Sequence, residues 1–380
     1  MKNSLIFLAA SIFYIFSCQS LPIPSEKDKP ENETSNTVQN DTLTLIAAGD
    51  NLFHETVLIS SLTDGVYDFS PIYTEIKSIA QNADIAFINQ ETVMAGERFG
   101  YSGYPAFNTP QSLARNLVDA GFDIFNLANN HAMDKGASGL YATLDFLDTL
   151  EITVIGARRS GDSARIVTKN NIKLGLLSYT FSLNGIPLPR DNPNLVSMID
   201  RNKMEQEINA LRPLCDFLIV SMHWGDEYQL EPNREQTSLA TFLAEHNVDL
   251  IIGHHPHVLQ KTETITLPDG RKTLCFYSLG NFASHQRERE RIIGGIAVIT
   301  FTRDASSGAL SISDHGMIPV ICHFDRNLRN TKIYPLYSYT EELLENHALK
   351  NSGAGLTMNF FYSVTNRLNT RIIMHNPFIH

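Results

Sequence analysis

The residues best suited to chemistry lie in one histidine-rich stretch, Leu250–Gln260, with the sequence Leu-Ile-Ile-Gly-His-His-Pro-His-Val-Leu-Gln. The apolar run Val248–Ile252 before it has the length and β-branched content of a buried strand. His255 and His257 flank Pro256, whose fixed φ predicts an extended segment with both imidazoles on the same side. A solvated loop is the alternative interpretation. Three histidines at the end of a buried strand favour a metal site.

Other polar groups closely follow apolar strands elsewhere in the chain. Because the carboxyl ends of parallel strands meet at one edge of a sheet, side chains placed there can converge on a ligand. Carboxylates, an amide and imidazoles make a mixed oxygen and nitrogen ligand set. We predict six metal ligands, which are Asp50, Glu91, Asn130, His223, His255 and His257.

Each of these residues also has a purely structural interpretation. Asp50 could cap a turn, Glu91 could be a solvated carboxylate, and Asn130 could occupy a left-handed turn. His131 directly follows Asn130 at a strand end, with Asp134 three residues further on. This arrangement favours a ligand beside a general acid, so we predict that His131 is catalytic.

The predicted ligand set indicates which metals would bind. Mixed nitrogen and oxygen ligands suit Mn²⁺, Fe²⁺ or Zn²⁺ and are poorer for Ca²⁺. Six ligands exceed one tetrahedral zinc site, so we expect two divalent ions, with Glu91 or Asn130 bridging them. Two ions about 3.5–4 Å apart would clamp the attacking and leaving oxygens of a phosphoryl or acyl transfer and activate a water.

Composition limits the partners. The chain has 380 residues, of which 43% are hydrophobic, and a formal net charge of −11. This length supports a large core, while the negative charge without a compensating basic run argues against a nucleic-acid partner. An anionic substrate would have to be attracted by a local positive site such as bound metal.

The first residues resemble a bacterial export signal. Leu5–Phe16 is a nearly continuous apolar run after Met1-Lys2, too short to span a bilayer comfortably. The sequence before Cys18 resembles a lipobox, which predicts lipidation of Cys18 and a membrane-anchored lipoprotein of the cell envelope. Plain cleaved secretion and an uncleaved anchor are the alternatives. We expect residues 1–18 to be the signal peptide and 19–42 a disordered tether.

Strands and helices alternate along the first part of the domain, beginning with a strand at Leu43–Ala48. Helices are predicted at 70–80, 111–120, 137–150, 203–211 and 234–247, and further strands at 83–89, 122–128, 152–156 and 217–222. Hairpins are predicted where 164–168 precedes 172–180, 262–267 precedes 272–278, and 295–303 precedes 309–313. We expect one α/β domain over 43–335 and a helical C-terminal extension over 336–380. The three cysteines after Cys18 are widely separated, which favours buried thiols over a disulfide framework.

Six motifs in order resemble the CapA/PgsA family of capsule and poly-γ-glutamate biosynthesis proteins. Together they span roughly residues 43–320. They are Gly49-Asp50, Asn89-Gln90-Glu91, Asn126-Leu-Ala-Asn-Asn-His131-x-x-Asp134-x-Gly136, His223-Trp-Gly-x-Glu-Tyr228, Gly253-x-His-Pro-His-Val258 and Tyr277-Ser-Leu-Gly-Asn-Phe282.

That family is similar to the calcineurin-like metallophosphatases. The resemblance implies a four-layer α-β-β-α sandwich, in which two mixed sheets are flanked by helices and a dinuclear centre lies at the strand ends. It implies that Asn130 is a ligand, that His131 is the general acid, and that His255 and His257 are paired ligands. His254 would be the variable position, packed or supporting the ligands.

Two departures from the metallophosphatase pattern affect the expected metal shell. The opening Asp-x-His is absent, because Asp50 is followed by Asn51-Leu52, and His54 is the nearest substitute. Glu91 stands where those enzymes more often have Asp. Hydrolysis therefore does not follow from the fold alone.

Two functional hypotheses remain. The first is an envelope-anchored, metal-dependent hydrolase or transferase acting on a phosphoester or amide bond of an anionic cell-surface polymer or its precursor. The second is a non-catalytic assembly or export factor that binds the polymer beside membrane synthase subunits. A general-acid histidine next to a ligand asparagine favours the first hypothesis, because a binding module does not require it.

Overall fold

A computed structural model describes residues 41–160, 164–353 and 355–379 of the chain. Cys18, the signal segment and all but the end of the expected tether lie outside the described residues. The strands are β1 (Asp41–Asn51), β2 (Leu62–Thr63), β3 (Val66–Tyr67), β4 (Ile85–Gln90), β5 (Ile124–Asn126), β6 (Thr153–Ile155), β7 (Arg165–Lys169), β8 (Ile172–Thr180), β9 (Phe217–His223), β10 (Leu250–His254), β11 (Thr262–Thr266), β12 (Lys272–Phe276), β13 (Asn281–Ala283), β14 (Ile293–Arg303), β15 (Leu310–His323) and β16 (Lys332–Pro335). The α-helices are α1 (Glu55–Ser60), α2 (Lys77–Asn82), α3 (Ser112–Ala120), α4 (Gly136–Leu147), α5 (Arg201–Leu211), α6 (Arg234–Glu245), α7 (Glu341–Asn346) and α8 (Met358–Thr365).

The larger sheet is mixed and has eight strands. Their order is β16-β15-β14-β1-β4-β5-β6, and β13 also pairs with β1. Strands β1, β4, β5 and β6 are parallel, whereas β14, β15 and β16 join by antiparallel pairing. The carboxyl ends of the four parallel strands therefore lie at one edge of this sheet.

The smaller sheet has six strands in the order β11-β12-β10-β9-β8-β7. Its four central strands are parallel, and the edge strands β11 and β7 pair with them as antiparallel hairpins. Asn170 and Asn171 join β7 to β8 with φ values of 49° and 59°, as a type I′ turn requires. The three predicted hairpins are confirmed, because β7–β8, β11–β12 and β14–β15 all pair antiparallel.

Three apolar cores separate four layers. Side chains alternate along each strand, so both faces of a central strand are buried. On β1, Leu45 packs between the two sheets and Ile46 packs against the helices α1–α4. On β9, Ile219 packs between the sheets and Val220 packs against α5 and α6. These layers form the α-β-β-α sandwich that the resemblance implies, and the predicted fold class is confirmed.

A β-bulge at Gly49 reorients the end of β1. Ala48 pairs with Ile88, and Asp50 pairs with the next residue of β4, Asn89, so two residues of β1 oppose one residue of β4. A bulge of this kind shifts the face to which the following side chain points. Asp50 therefore faces the same side as Asn89, whose amide donates a hydrogen bond of 2.8 Å to the Asp50 carboxylate.

The residues after β16 pack into the core between the sheets. Leu344 of α7 and Phe361 of α8 are buried there with residues of both sheets. The backbone N–H of Thr262 donates to the carbonyl of Leu368 at 2.6 Å. The region expected as a C-terminal extension thus contributes directly to the core of the sandwich.

The helices differ from the prediction mainly where they are short. The helix expected over 70–80 is divided into a 3₁₀ turn at Ser70–Tyr73 and α2. Neither α1 nor the hairpin β2–β3 was predicted, because six-residue and two-residue elements carry too little periodicity. Across the described ranges, no helix has the length and apolar character needed to cross a membrane.

Three histidines outside the predicted metal site are buried in the sandwich. His285 bonds to the hydroxyls of Thr56 and Thr331, both at 2.8 Å. The ring of His347 lies 5.3 Å from that of His323. Burial lowers the pKa of His285 to about 3 and the pKa values of His323 and His347 to about 4. These rings are therefore neutral in the folded protein at neutral pH.

Replacing Gly49 with alanine should strongly destabilise the protein. A Cβ at this position would lie 2.0 Å from the carbonyl oxygen of Gly280 and 2.9 Å from that of Leu279, so the bulge would have to rearrange. We expect a loss of more than about 2 kcal/mol in unfolding free energy, measured by chemical denaturation. Ala47→Gly on the same strand is the control and should cost about 1 kcal/mol. Equal stability of Gly49→Ala and wild type would contradict the bulge geometry.

The metal-free protein should lose stability when the pH falls from about 6.5 towards 4. The unfolded chain binds protons on these histidines near pH 6.5, whereas the folded state does not until about pH 3–4. Because the unfolded state binds more protons in this window, acidification favours unfolding. We expect His323→Gln to flatten the fall in Tm, measured in EDTA between pH 7.5 and 4. The same pH slope in variant and wild type would refute this explanation.

Candidate metal centre

Strand ends from both sheets bring the predicted ligands together at one edge of the sandwich. Asp50 lies near the end of β1 and Glu91 follows β4, while His223 ends β9. His255 and His257 lie in the loop directly after β10. All five side chains are at most 4% exposed. They form a buried polar cluster where the apolar core between the sheets ends.

Asp50 is well supplied with donors from this cluster. Its Oδ1 accepts from the Asn89 amide at 2.8 Å and lies 3.3 Å from Nδ1 of His254. Its Oδ2 lies 3.0 Å from Nδ1 of His257 and accepts the backbone N–H of His255 at 3.3 Å. Burial acts to raise the pKa of Asp50, but the contacts with His254 and His257 outweigh it and hold the pKa well below its usual value. Asp50 is therefore ionised.

Glu91, in contrast to Asp50, has no hydrogen-bond donor beside its carboxylate in the described part of the chain. Neither carboxylate oxygen has a hydrogen-bond partner among the described residues, although both are buried. Its Oε1 lies 3.6 Å from Nε2 of His223 and 3.7 Å from Nε2 of His257, beyond hydrogen-bond distance. Burial raises the pKa of Glu91 well above its usual value despite the opposing effect of His257. The ionised form of Glu91 thus lacks the compensation that buried charges require, which is why its pKa is raised.

Glu91 also joins two candidate ligand groups. Asp50, Glu91 and His223 form one group, and Glu91, His255 and His257 form the other. In each group one ligand atom per residue lies within 4.8 Å of the others. Nδ1 of His223 and Nδ1 of His255 also lack a hydrogen-bond partner among the described residues. The two candidate groups therefore overlap at a single shared carboxylate, that of Glu91.

The histidine loop is not extended, so that part of the prediction was wrong. His255 has a φ of 96° and His257 a φ of 58°, both in the left-handed region that residues other than glycine rarely adopt. The conformation is held by hydrogen bonds to the loop backbone. The N–H of His255 donates to Asp50, and the carbonyl of Pro256 accepts the N–H of Tyr228 at 2.7 Å. The two imidazoles still converge, with ring centroids 5.8 Å apart.

Burial lowers the pKa values of the loop histidines, whereas nearby carboxylates raise them. Burial acts to lower the pKa of His257, but Glu91 and Asp50 outweigh it and raise the pKa to about 9. Burial and the neighbouring His257 lower the pKa of His255 to about 3. Burial likewise lowers the pKa of His223 well below its usual value. His255 and His223 are therefore neutral at neutral pH, which is the form in which imidazoles bind metal, whereas His257 would have to release its proton to do so.

Asn130 and His131 lie beside the same cluster. Oδ1 of Asn130 is 2.8 Å from Nε2 of His223, so all six predicted ligands fall in this region. Nδ1 of His131 bonds to Asp134 at 2.8 Å, and Phe107 contacts the His131 ring edge-on at a centroid distance of 4.7 Å. The bond to Asp134 leaves Nε2 as the nitrogen with which His131 can exchange a proton.

His54 and His254, whose roles the sequence left open, have different surroundings. His54 is partly buried and lies beside Phe107 with a ring separation of 5.6 Å, and it belongs to neither ligand group. His254 is fully buried, stacks on Phe87 at 5.9 Å and touches Asp50. His254 therefore supports Asp50 from within the core.

Several supporting residues were not recognised from the sequence. Asn89 donates to Asp50, and its own Oδ1 accepts from Asn126 at 2.9 Å. Asn126 in turn accepts from Ser178 of the opposite sheet at 2.6 Å. Asn184 accepts from the Asn130 amide at 3.3 Å. The available signal was a polar residue at an inward-facing position of a strand end, which identifies Asn89 and Asn126 but not the loop residue Asn184.

A cleft of about 360 Å³ opens beside the cluster. His131 and His257 both line it, together with Phe107, Tyr228 and Arg287. A substrate held in this cleft would therefore contact the general-acid candidate and a ligand candidate at the same time.

The chain matches a known family and resembles named proteins. The model of the family described as "Bacterial capsule synthesis protein PGA_cap" matches residues 44–286, more than half of the chain. The chain is similar to "PGA biosynthesis protein CapA" of Bacillus subtilis (strain 168), with 27% identity over 293 residues that cover 75% of this chain and 73% of the relative. It is also similar to "Capsule biosynthesis protein CapA" of Bacillus anthracis, with 27% identity over 261 residues that cover 65% of this chain and 61% of the relative. The similarity to that second relative thus spans less than two thirds of its length.

Among solved structures, the chain is similar to a 5'-nucleotidase precursor from Thermus thermophilus. The sequence identity is 17% and the TM-score is 0.47, and the similarity covers 74% of this chain and 54% of the nucleotidase.

Replacing Glu91 with glutamine should have opposite effects with and without metal. The amide removes a buried carboxylate that has no donor, so Tm in EDTA should be equal to or higher than that of wild type. Added Mn²⁺ should raise the Tm of wild type, because a ligand at 100 times its Kd adds about 2.7 kcal/mol to the free energy of unfolding. It should raise the Tm of the variant much less.

Glu97→Gln is the matched control, because Glu97 is exposed in the turn after β4 and carries the same chemical change. It should respond to Mn²⁺ as wild type does. A full Mn²⁺-induced rise in Tm for Glu91→Gln would show that Glu91 is not a ligand.

Proposed function

This chain belongs to the bacterial capsule synthesis family PGA_cap, and from that premise we propose that it acts in the synthesis or export of a capsule or poly-γ-glutamate-type polymer at the cell envelope. Within that role it is a metal-dependent enzyme that hydrolyses or transfers a phosphoester or amide bond. The substrate is an anionic cell-surface polymer or its precursor.

The observation that carries this proposal is the unsatisfied carboxylate of Glu91. A buried carboxylate without donors is costly, and proteins normally pair it or bind a cation to it. Glu91 is fully buried, belongs to both ligand groups and has no hydrogen-bond partner among the described residues. A structural role gives no reason to retain such a group, whereas a role in holding divalent cations would.

The remaining donors fit borderline divalent ions. Asp50, Glu91 and Asn130 provide oxygen, and the imidazoles of three buried histidines, His223, His255 and His257, provide nitrogen. This set suits Mn²⁺, Fe²⁺ or Zn²⁺. When bound, two such ions would withdraw charge from the attacked group and lower the pKa of a water.

His131 serves as the general acid in this proposal. Its Nδ1–H donates to Asp134, which fixes the tautomer and the ring orientation. Asp134 is itself held in place, because it accepts the backbone N–H of Phe107 at 2.7 Å. Phe107 packs against the His131 ring and shields it from one side. Nε2 of His131 can then give a proton to the leaving group of a substrate in the cleft.

Anchoring is a separate part of the proposal. Lipidation at Cys18 would hold the folded domain at the outer face of a membrane, where membrane synthase subunits would be its neighbours. The relatives in Bacillus are named for capsule or PGA biosynthesis, which supports an envelope location. Cys18 lies outside the residues that the structure describes.

Two histidine variants should separate metal binding from proton transfer. We expect about two metal ions per chain in wild type and in His131→Ala, measured by elemental analysis. Turnover of a chromogenic phosphodiester or a γ-glutamyl anilide with Mn²⁺ should fall about 10²–10⁴-fold in His131→Ala, because general acid catalysis contributes that much. His257→Ala should lose metal and turnover together.

The control is His246→Ala, which removes a partly buried histidine at the end of the outer helix α6. It should keep both metal content and turnover. Metal without any turnover that depends on His131 would favour a non-catalytic assembly or export factor. A wild-type protein without metal would exclude the dinuclear proposal altogether.

A further inference from the structure

Two carboxylates, Glu227 and Glu288, and two arginines, Arg287 and Arg291, line the cleft beside His131 and His257. Arg291 forms an ion pair with Glu288 at 2.8 Å and lies over the ring of Tyr228, 3.3 Å from its centroid. Burial and a hydrogen bond to Glu227 together raise the pKa of Tyr228, so its hydroxyl stays protonated. The charges of Arg291 and Glu288 therefore offset each other, while Glu227 forms no ion pair among the described residues.

Arg287 is different from its neighbours. The segment Gln286–Arg291 carries three arginines, and two of them have partners. Arg289 pairs with Glu290 at 2.8 Å and stacks on Phe360, outside the cleft, and Arg291 pairs as described above. Arg287 lines the cleft, and within the part of the chain that the structure describes it forms no ion pair or hydrogen bond.

A guanidinium without an ion-pair partner makes the cleft locally more attractive to anions. The chain carries a formal net charge of −11, so its surface as a whole repels anions. Arg287 supplies positive charge to the lining of the cleft and forms no ion pair with Glu227 or Glu288, the two carboxylates that line it as well. Its planar fork of donors fits a carboxylate or a phosphate with two parallel hydrogen bonds. A lysine would offer only a point charge.

Aromatic rings also line the cleft. Tyr104 lines it and is 75% exposed, and its ring lies 6.3 Å from that of Phe107, which in turn packs on His131. Exposed aromatic rings offer flat apolar surface beside which the methylene or amide groups of a flexible chain can pack. A cleft lined by an arginine without an ion-pair partner and by aromatic rings suits a ligand that alternates anionic groups with less polar segments.

We propose that Arg287 is the anion-recognition residue of the cleft and binds a carboxylate or phosphate group of the substrate next to the bond that is cleaved. This assignment rests on the proposed function, since the cleft is taken as the place where substrate binds. It adds a requirement that the ligand cluster alone does not impose. The substrate must carry a second anionic group beside the one that faces His131 and His257.

Binding of two defined probes to the full chain tests the assignment. γ-Linked tetraglutamate presents carboxylates and inorganic pyrophosphate presents phosphates. Isothermal titration would be done on metal-loaded and on EDTA-treated protein, because Arg287 acts in both states. Arg287→Glu should raise Kd for at least one probe about tenfold or more, and Arg287→Lys should raise it less.

The matched control is Arg190→Glu. Arg190 is exposed in the loop after β8, does not line the cleft, and undergoes the same charge reversal. It should leave Kd within about twofold of wild type. A loss confined to tetraglutamate would identify a carboxylate as the recognised group, and a loss confined to pyrophosphate would identify a phosphate. Either result supports the proposal.

Three results would overturn it. They are equal affinities of wild type and Arg287→Glu for both probes, an equal loss in Arg190→Glu, and no binding of either probe to wild type. Metal content is measured on the same samples. A wild type without metal refutes the dinuclear enzyme, while the comparison in EDTA still decides the role of Arg287.

Discussion

The carboxylate of Asp50 lies fully buried between two sheets, and the surrounding structure is arranged to ionise it there. An ionised carboxylate in an apolar core is tolerated only when donors surround it. Asn89 comes from the neighbouring strand of the same sheet, and His254, His255 and His257 come from the opposite sheet and its loop. The two sheets are therefore joined through Asp50 at the edge where the apolar core ends. The bulge at Gly49 is what turns Asp50 into this position.

The pKa values of the two buried carboxylates, Asp50 and Glu91, are shifted in opposite directions. Protein donors surround Asp50, whose pKa is lowered, whereas Glu91 has none among the described residues and its pKa is raised mainly by burial. Two carboxylates in one buried cluster with opposite shifts are typical of a functional site. Asp50 holds the histidine loop through protein contacts alone. Glu91 has no protein donor among the described residues, so a bound cation would complete its surroundings, whereas Asp50 needs none.

Much of the fold and of the cluster's membership could be predicted from the sequence. Apolar runs of strand length followed by Asp50, Glu91 and His223 are local patterns, and parallel strands necessarily bring their ends to one edge. The hairpins were predictable for the same reason, because turn residues such as Asn170-Asn171 are a local sequence pattern. The six expected ligands do lie in one region for this reason. The short helix α1, the hairpin β2–β3 and the supporting amides had no comparable signal. The first two are too short to show a period, and the amides bond to partners distant in the sequence, as Asn126 does to Ser178.

The histidine loop shows most clearly where local inference stops. Pro256 favours an extended segment on its own, yet His255 and His257 on either side of it adopt positive φ. A left-handed conformation of a non-glycine residue costs about 1–3 kcal/mol and persists only when surrounding contacts impose it. Here the contacts come from residues far apart in the chain, with Asp50 accepting the His255 N–H and Tyr228 donating to Pro256. Such strain is retained at sites where the direction of the side chains matters more than a low-energy backbone conformation. The loop brings both imidazoles close to Glu91 and Tyr228 lines the cleft, so the same two hydrogen bonds hold the candidate ligands and the cleft in a fixed relation.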